Sequence, residues 1–331
     1  MILVTGPDGF VGTEVCRALR KRGHAVVGAQ WRPAPLPEGC RSVVVGDIGP
    51  QTDWDTALRG VDVVVHLAAR VHVMRDRAAD PLAAFRAVNR DGTQRLAQCA
   101  ARAHAKRLVF LSTVKVHGET SGGAGGKRPF TEADEPDPQD PYAVSKWEAE
   151  QALRAIESET GMAATILRPP LIYGPGVKAN FRKLAELVAR GVPLPLGRVR
   201  NARSLIGLSN MADAIVACVE QEKAAGKTYV VSDDDEVSSP ELVRRLAAAF
   251  GRKPRLLPVP EAWLRLAGRM AGKTDAVERL LGSLVVDSGG IRTELGWKPV
   301  CSMRDELARL AQEMASCSGK EAEEIARESR E

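Results

Sequence analysis

The feature that most narrows the fold is a rhythm. Short β-branched apolar runs alternate with helix-length amphipathic stretches through the first half of the chain. Strands are expected at 2–5, 25–29, 42–46, 61–67, 107–112 and 164–168, with helices at 11–22, 80–104 and 142–160 between them. Runs this short and this continuously apolar are buried on both faces, as in a parallel sheet covered by helices. Strand and helix in regular turn is a doubly wound α/β pattern.

After Tyr173 the texture changes to a turn, one helix and a Pro/Gly-rich loop. Short strands follow near 204–207 and 228–232, then helices at 239–250 and 261–271. This reads as a smaller mixed α/β lobe that cannot bury a core alone. The division expected is 1–172 for the first domain, with about 204–235 returning to it, 173–317 for the lobe, and 318–331 as a charged, fraying tail. The glycine-rich stretch 121–128, "SGGAGGKR", reads as a flexible loop.

Aromatic residues make up only 4%, so the core must rest on Val, Leu, Ile and Ala. The net charge is +5, but Arg and Lys are interleaved with acids along most of the chain. No basic block carries interleaved aromatics, so a nucleic-acid partner is not expected. Cys16, Cys40, Cys99, Cys218, Cys301 and Cys317 are scattered without a CxxC pair. They read as reduced thiols, with no disulfide framework and no metal site. No signal segment and no uncharged run of the ~20 residues that span a bilayer is evident, so the expectation is a soluble, cytoplasmic protein with no membrane partner.

"ILVTGPDGFVG" sets Gly6, Gly9 and Gly12 between the first strand and the first helix. Gly6 permits the tight turn, Gly9 lets the backbone approach a pyrophosphate, and Gly12 lets helix and strand pack closely. The phosphate then meets free N–H groups at a helix N-terminus. An acid at the end of the second strand would bind the adenosine ribose, but the sequence there offers Gln30, Trp31 and Arg32. A forked guanidinium suits a 2′-phosphate, which favours NADP(H) and keeps NAD possible. Asp47 and Ile48 follow the third strand, where an Asp can reach the adenine. "HLAAR" ends the fourth with Leu67, Ala68 and Ala69, small enough for a cofactor to lie close, and His66 reads as core.

"PYAVSK" places Tyr142 and Lys146 four residues apart, on one face of a helix. An ammonium beside a phenol lowers its pKa from ~10 and makes it a proton donor and acceptor near neutrality. Upstream, "LVFLSTVKVHGE" ends a strand with Ser112 and Thr113, where a hydroxyl can bond a substrate oxygen.

Together "TGPDGFVG", "HLAA", "NRDGT", "LSTVKVHGE", "PYAVSK" and "LRPPLIYGPG" resemble the extended short-chain dehydrogenases that include the nucleotide-sugar epimerases, dehydratases and reductases. The resemblance runs to about Pro299 and implies a Rossmann-type sheet and an NAD(P)-dependent enzyme. It implies that Thr113, with Ser112 as its neighbour, completes a triad with Tyr142 and Lys146. It also implies that Asn89 holds the active-site helix and nicotinamide region. Phe10, Val11 and Pro169 complete the expected cofactor contacts, and two long helices are expected to form a homodimeric four-helix bundle. The family's dehydratases carry an Asp–Glu pair after the catalytic hydroxyl. Val114 and Lys115 stand there instead, which argues against 4,6-dehydration and leaves Lys115 as a substrate contact.

The resemblance further implies that Asn180 and Arg203 hold the diphosphate of a UDP-sugar, with Arg279 and Ser283 as further contacts. An Asn at a helix N-terminus and a guanidinium suit that anion on physical grounds too. Two reactions fit: NADPH-dependent reduction of a UDP-4-keto-6-deoxy-N-acetylhexosamine, which the missing acid favours, and 4-epimerisation of a UDP-hexose or UDP-N-acetylhexosamine with bound NAD. Reduction of a non-nucleotide carbonyl would not need Asn180 and Arg203 together. A non-catalytic NADP(H)-binding regulator would have no need to keep both Tyr142 and Lys146.

Overall fold

Helices follow the first, fourth and fifth apolar runs and carry the chain back across the sheet, and the runs pair in parallel rather than as hairpins. The computed structural model describes residues 1–71, 80–121, 128–272 and 274–328. In it β1 (Ile2–Thr5), β2 (Val26–Gln30), β3 (Arg41–Val44), β4 (Val63–His66), β5 (Arg107–Leu111) and β6 (Ala163–Arg168) lie in one parallel sheet. β7 (Leu171–Tyr173) and β8 (Leu205–Gly207) form a separate parallel pair. β9 (Thr228–Val230) then rejoins the main sheet beside β6, giving the order β3-β2-β1-β4-β5-β6-β9. The order reverses between β1 and β4, where Thr5 lies level with His66, and the carboxyl ends of these strands open the crevice used by doubly wound folds.

The helices are α1 (Phe10–Lys21), α2 (Pro81–Arg86), α3 (Thr93–Arg102), α4 (Pro141–Thr160), α5 (Ala179–Ala189), α6 (Leu208–Glu220), α7 (Ser239–Ala249), α8 (Glu261–Met270), α9 (Thr274–Leu281), α10 (Gly289–Leu295) and α11 (Met303–Glu328). On one face of the sheet Val4, Val15, Leu19, Met211, Ile215 and Trp297 bring α1 and α6 together. On the other, Leu3, Val64, Leu96, Phe110, Leu153 and Ile156 join α3 and α4. These side chains are buried, so truncating any of the larger ones costs about 2–5 kcal/mol. The lobe has its own core, in which Tyr173 stacks on Phe181 and clusters with Val188, Leu246 and Leu310.

Three segments differ from the sequence reading. The stretch expected as one helix over 80–104 is α2 and α3 joined by a π-helical turn, Ala87–Gly92. The third strand is not buried on both faces: Arg41, Ser42 and Val44 are exposed, because β3 is the sheet edge and pairs with β2 alone. The segment expected to fray is helical as far as Glu328 in α11, consistent with its Ala, Glu, Lys and Arg content. Residues 122–127 of the glycine-rich stretch and 329–331 of the tail lie outside the described residues. Cys16, Cys40, Cys99, Cys218 and Cys301 are free thiols.

Candidate active site

The turn after β1 is shaped by what will not fit there. Gly6 has φ +64°, open to glycine and strained for other residues. A Cβ on Gly12 would stand 1.9 Å from the Gly6 carbonyl oxygen, so α1 can cross the turn only with a hydrogen at that position. Gly9 caps α1 with no side-chain bond to the helix, which leaves first-turn N–H groups for an anion. This bare N-terminus and side-chain-free cradle fit a dinucleotide pyrophosphate. Phe10 and Val11 turn inward to the lobe core and the sheet core respectively.

Beneath the cradle lies a closed hydrogen-bond circuit. Thr93 Oγ1 donates to the Asn89 carbonyl at 2.6 Å, so it accepts from His66 Nε2 at 2.9 Å. That fixes His66 as the neutral Nε2–H tautomer, whose Nδ1 accepts from Thr5 Oγ1 at 2.7 Å. The Thr5 oxygen in turn accepts the Leu67 and Ala68 amides, both at 3.1 Å, and so places the backbone beside the Gly6 turn. Burial holds the His66 pKa down to about 3, with Lys146 adding to the effect, in keeping with the neutral ring.

Asn89 sits on the π-turn, a distortion frequent at functional sites. Its Oδ1 accepts the Arg70 amide at 2.8 Å, and its Nδ2 donates to the Arg70 carbonyl at 3.0 Å and to Ser145 Oγ at 2.9 Å. It thus ties the end of β4 to α4.

Helix α4 starts at a defined residue. Asp140 Oδ1 accepts the Ala143 amide at 2.7 Å and Pro141 takes the first turn, while Gly161 at φ 76° closes the far end. Lys146 is buried, with Nζ 3.9 Å from the centroid of the Phe110 ring. Burial lowers its pKa to about 7, and Glu150 one turn on pulls it back upward. Tyr142 packs edge-on to Phe85 at 6.2 Å. Burial pushes its phenol above the ordinary value, and the Asp140 carboxylate pushes in the same direction.

The two candidate hydroxyls part company. Ser112 donates to Glu150, which also accepts from Arg168 Nε at 3.1 Å, and Arg168 Nη1 reaches His117 Nε2 at 2.9 Å. Ser112 is therefore spent on a buried ion pair behind Lys146, a correction to its catalytic assignment. Thr113 caps the short turn Val114–His117, its oxygen taking only a 3.3 Å contact from the Lys115 amide.

Other expected contacts are also redirected. Gln30 is buried and donates to the Ala34 carbonyl at 3.1 Å, while Ser42 donates to its oxygen, so it braces a loop rather than facing a ribose. Arg32 is exposed, 5.0 Å above the Trp31 ring, and Asp47 is exposed beside half-buried Ile48. Leu67, Ala68 and Ala69 are half-buried at the end of β4, and the Pro169 carbonyl accepts the Val114 amide at 2.9 Å. Lys115 bridges Glu119 at 2.7 Å and Asp140 at 2.8 Å, which anchors the start of α4 and corrects its reading as a free substrate contact.

On the lobe, Asn180 is exposed in the first turn of α5, next to Ala179, which is held at φ 54°. Arg203 is held by the Arg279 and Gly282 carbonyls, both through Nη1. Burial lowers its pKa and Glu119 counters that effect. Arg279 contributes its carbonyl here while its side chain is exposed, and Ser283 Oγ accepts the Ala202 amide at 3.1 Å. These two bonds hold the Arg203 segment.

With the geometry in place, the comparisons are decisive at the level of the family. Residues 2–232 match the NAD dependent epimerase/dehydratase family. The chain belongs to that family. It is an enzyme of the extended short-chain dehydrogenase type. It is 42% identical over 312 residues to a UDP-glucose 4-epimerase of Vibrio cholerae, covering 94% of each chain. It is 27% identical over 285 residues to N-acetyl-α-D-glucosaminyl-diphospho-ditrans,octacis-undecaprenol 4-epimerase of Escherichia coli O157:H7, covering 83% of this chain and 82% of that one. Among solved structures, MoeE5 in complex with UDP-glucose and NAD is 25% identical with a TM-score of 0.74, over 96% of this chain and 99% of that chain.

The sequence reading missed the residues that set this family member's site from behind. Glu150 could have been found, since it follows Lys146 by one helical turn. Arg168 carried no such signal, because only the pairing of β5 with β6 brings it to that carboxylate. The Thr5–His66–Thr93 circuit joins two strands and a helix, and no local pattern announces it.

Proposed function

We propose that this enzyme interconverts C4 epimers of a UDP-sugar, with Tyr142, Lys146 and Thr113 as its working residues. The observation that carries the proposal is Lys146, buried on α4 one turn from Tyr142 with a pKa near neutrality. The near equal-length UDP-glucose 4-epimerase relative supports epimerisation among the reactions open to such a site.

The residues of the cradle, with Asn89 and the end of β4, would hold a nicotinamide dinucleotide. When bound, that group supplies reversible hydride transfer at the substrate carbon. Tyr142 takes the proton of the C4 hydroxyl and later returns one to the same oxygen. Lys146 in its ammonium form stabilises the phenolate between those two events. Its pKa of about 7 keeps both of its own charge states accessible. Thr113 donates a hydrogen bond to the sugar oxygen. Arg203, pinned through one nitrogen, offers the rest of its fork to the diphosphate, joined by Asn180 at the start of α5. Two copies pair through α3 and α4, and the free thiols suit a cytoplasmic setting.

A second reading, NADPH-dependent reduction of a UDP-4-keto-6-deoxy-N-acetylhexosamine, is favoured by one feature. No carboxylate ends β2, and Arg32 stands exposed there instead. The test supplies UDP-glucose, UDP-N-acetylglucosamine and a UDP-4-keto-6-deoxy sugar to the purified protein. Epimers forming without added cofactor are expected, and Tyr142→Phe should lower that rate by about 10³-fold while cofactor binding survives. NADPH consumption with the keto sugar alone would replace the epimerase by the reductase, and full activity in the variant would remove Tyr142 from either.

A further inference from the structure

One of the basic stretches of the chain lies in the lobe. Residues 251–273 contain Arg252, Lys253, Arg255, Arg265, Arg269 and Lys273 against a single acid, Glu261, a net of +5. The whole chain has 47 basic and 42 acidic residues, so taking away six and one leaves 41 of each. The rest of the chain sums to zero, its other basic stretches, such as 178–203, being balanced by acids elsewhere.

The same segment carries an apolar face. Met270 and Trp263 are 83% and 68% exposed, the two highest values among the large apolar side chains described, and Leu266 is 53% exposed. Their spacing of three and four residues puts them on one side of α8. Leu257, in the loop before α8, is exposed as well. Of the cations, Arg265 is paired with Glu261 at 3.4 Å and Glu278 at 3.1 Å. Arg252, Lys253, Arg255 and Arg269 are exposed and form no ion pair with the described residues.

We propose that the α8 face docks this enzyme on an anionic lipid bilayer. Exposed Trp, Leu and Met beside uncompensated Arg and Lys is the composition of an interfacial helix, with the rings and thioether at the headgroup boundary and the cations on the phosphates. A second copy of the chain would bring another +5 against this one. A nucleic acid would satisfy the cations and leave Trp263, Leu266 and Met270 in water. The mode is peripheral, since no helix among the described residues is long and apolar enough to cross a membrane. It reverses the expectation of no membrane partner, which rested on the absence of a spanning segment. α9 is the next helix in the chain after α8, and the Arg279 and Gly282 carbonyls at its end hold Arg203, so the segment that carries the docked face leads into one wall of the candidate substrate site.

The test is co-sedimentation of the full chain with vesicles of phosphatidylcholine alone and of phosphatidylcholine mixed with phosphatidylglycerol. Binding to the mixed vesicles should be at least about tenfold tighter, as expected for several cations at the surface. Trp263→Ser combined with Met270→Ser should weaken it by about tenfold or more, as removal of buried apolar area at the interface requires. Arg252→Glu combined with Arg269→Glu should abolish it, and both pairs should keep wild-type turnover of a soluble nucleotide sugar. Equal binding to both vesicle types would overturn the proposal. So would anionic binding that the Ser pair leaves intact, which is adsorption by bulk charge, or self-association that the same pair removes.

Discussion

Around residues 6–12 the chain leaves no space for side chains, and the site there is made of backbone: a Cβ on Gly12 would stand 1.9 Å from the Gly6 oxygen, and α1 begins without a side-chain cap. Around Asn180 and Arg279 the reverse holds. Both side chains are exposed, and only Arg203 is fixed, through bonds to backbone carbonyls. The difference teaches which half of a two-ligand site can be specified before its ligand arrives. A cradle of main-chain N–H groups is complete once the strand and helix pack. A wall of exposed polar side chains becomes a site only when an anion gathers them.

Substitution at the two ends should therefore have very different consequences, and the largest belongs to Gly12→Ala. The added methyl can be accommodated only by moving α1 off β1, so unfolding stability should drop by more than about 3 kcal/mol, within the range of severe overpacking. Asn180→Ala should change stability by less than ~0.5 kcal/mol, as exposed positions do, and act on substrate KM alone. Denaturant unfolding of both variants, read beside substrate titration, measures the contrast. Similar stabilities would break it.

A smaller effect lies in the circuit under the cradle. His66 has an ordinary pKa of 6.5 that burial lowers to about 3, so the unfolded chain binds a proton between those values that the folded chain refuses. Its contribution is complete above pH 6.5 and is lost as pH falls toward 3, at about 1.4 kcal/mol per pH unit at most. His117, lowered to about 4 by burial and by Arg168, loses stability over 6.5 to 4 in the same direction. His66→Gln keeps a donor for Thr93 and an acceptor for Thr5. It should therefore be somewhat less stable at pH 7 and flatter between pH 6.5 and 4, by nearly one proton. Chemical denaturation at several pH values gives the slope, and an unchanged slope would mean that the folded chain protonates His66 as readily as the unfolded one.

How much of this was legible follows the same division. The strands, α1 and α4 were readable because apolar period and glycine spacing are local signals. Tyr142 and Lys146 were readable because one helical turn relates them. Ser112 and Gln30 were misassigned because burial and partner choice decide their roles: Glu150 claims one and the β2–β3 edge claims the other. The partner of Lys115 was not readable, since Asp140 is 25 residues away in sequence. The charge of 251–273 was in plain view, yet only the exposure of Trp263 and Met270 on one side of α8 gives it a meaning.

The smallest expected effect is the one that would sharpen the comparison most. Gln30 is committed to its loop, so on the NADP(H) reading the 2′-phosphate at the end of β2 would meet Arg32, exposed and stacked on Trp31. An ion pair at such an exposed position is worth at most about 1 kcal/mol, roughly fivefold in affinity. Arg32→Ala should then weaken NADPH binding by about that factor and leave NADH binding unmoved, measured by direct titration of both nucleotides. If wild type prefers NADH, or the variant keeps an NADPH preference, Arg32 does not read the 2′-phosphate. The dinucleotide end would then owe its affinity to backbone alone, and side-chain discrimination would belong wholly to the sugar end.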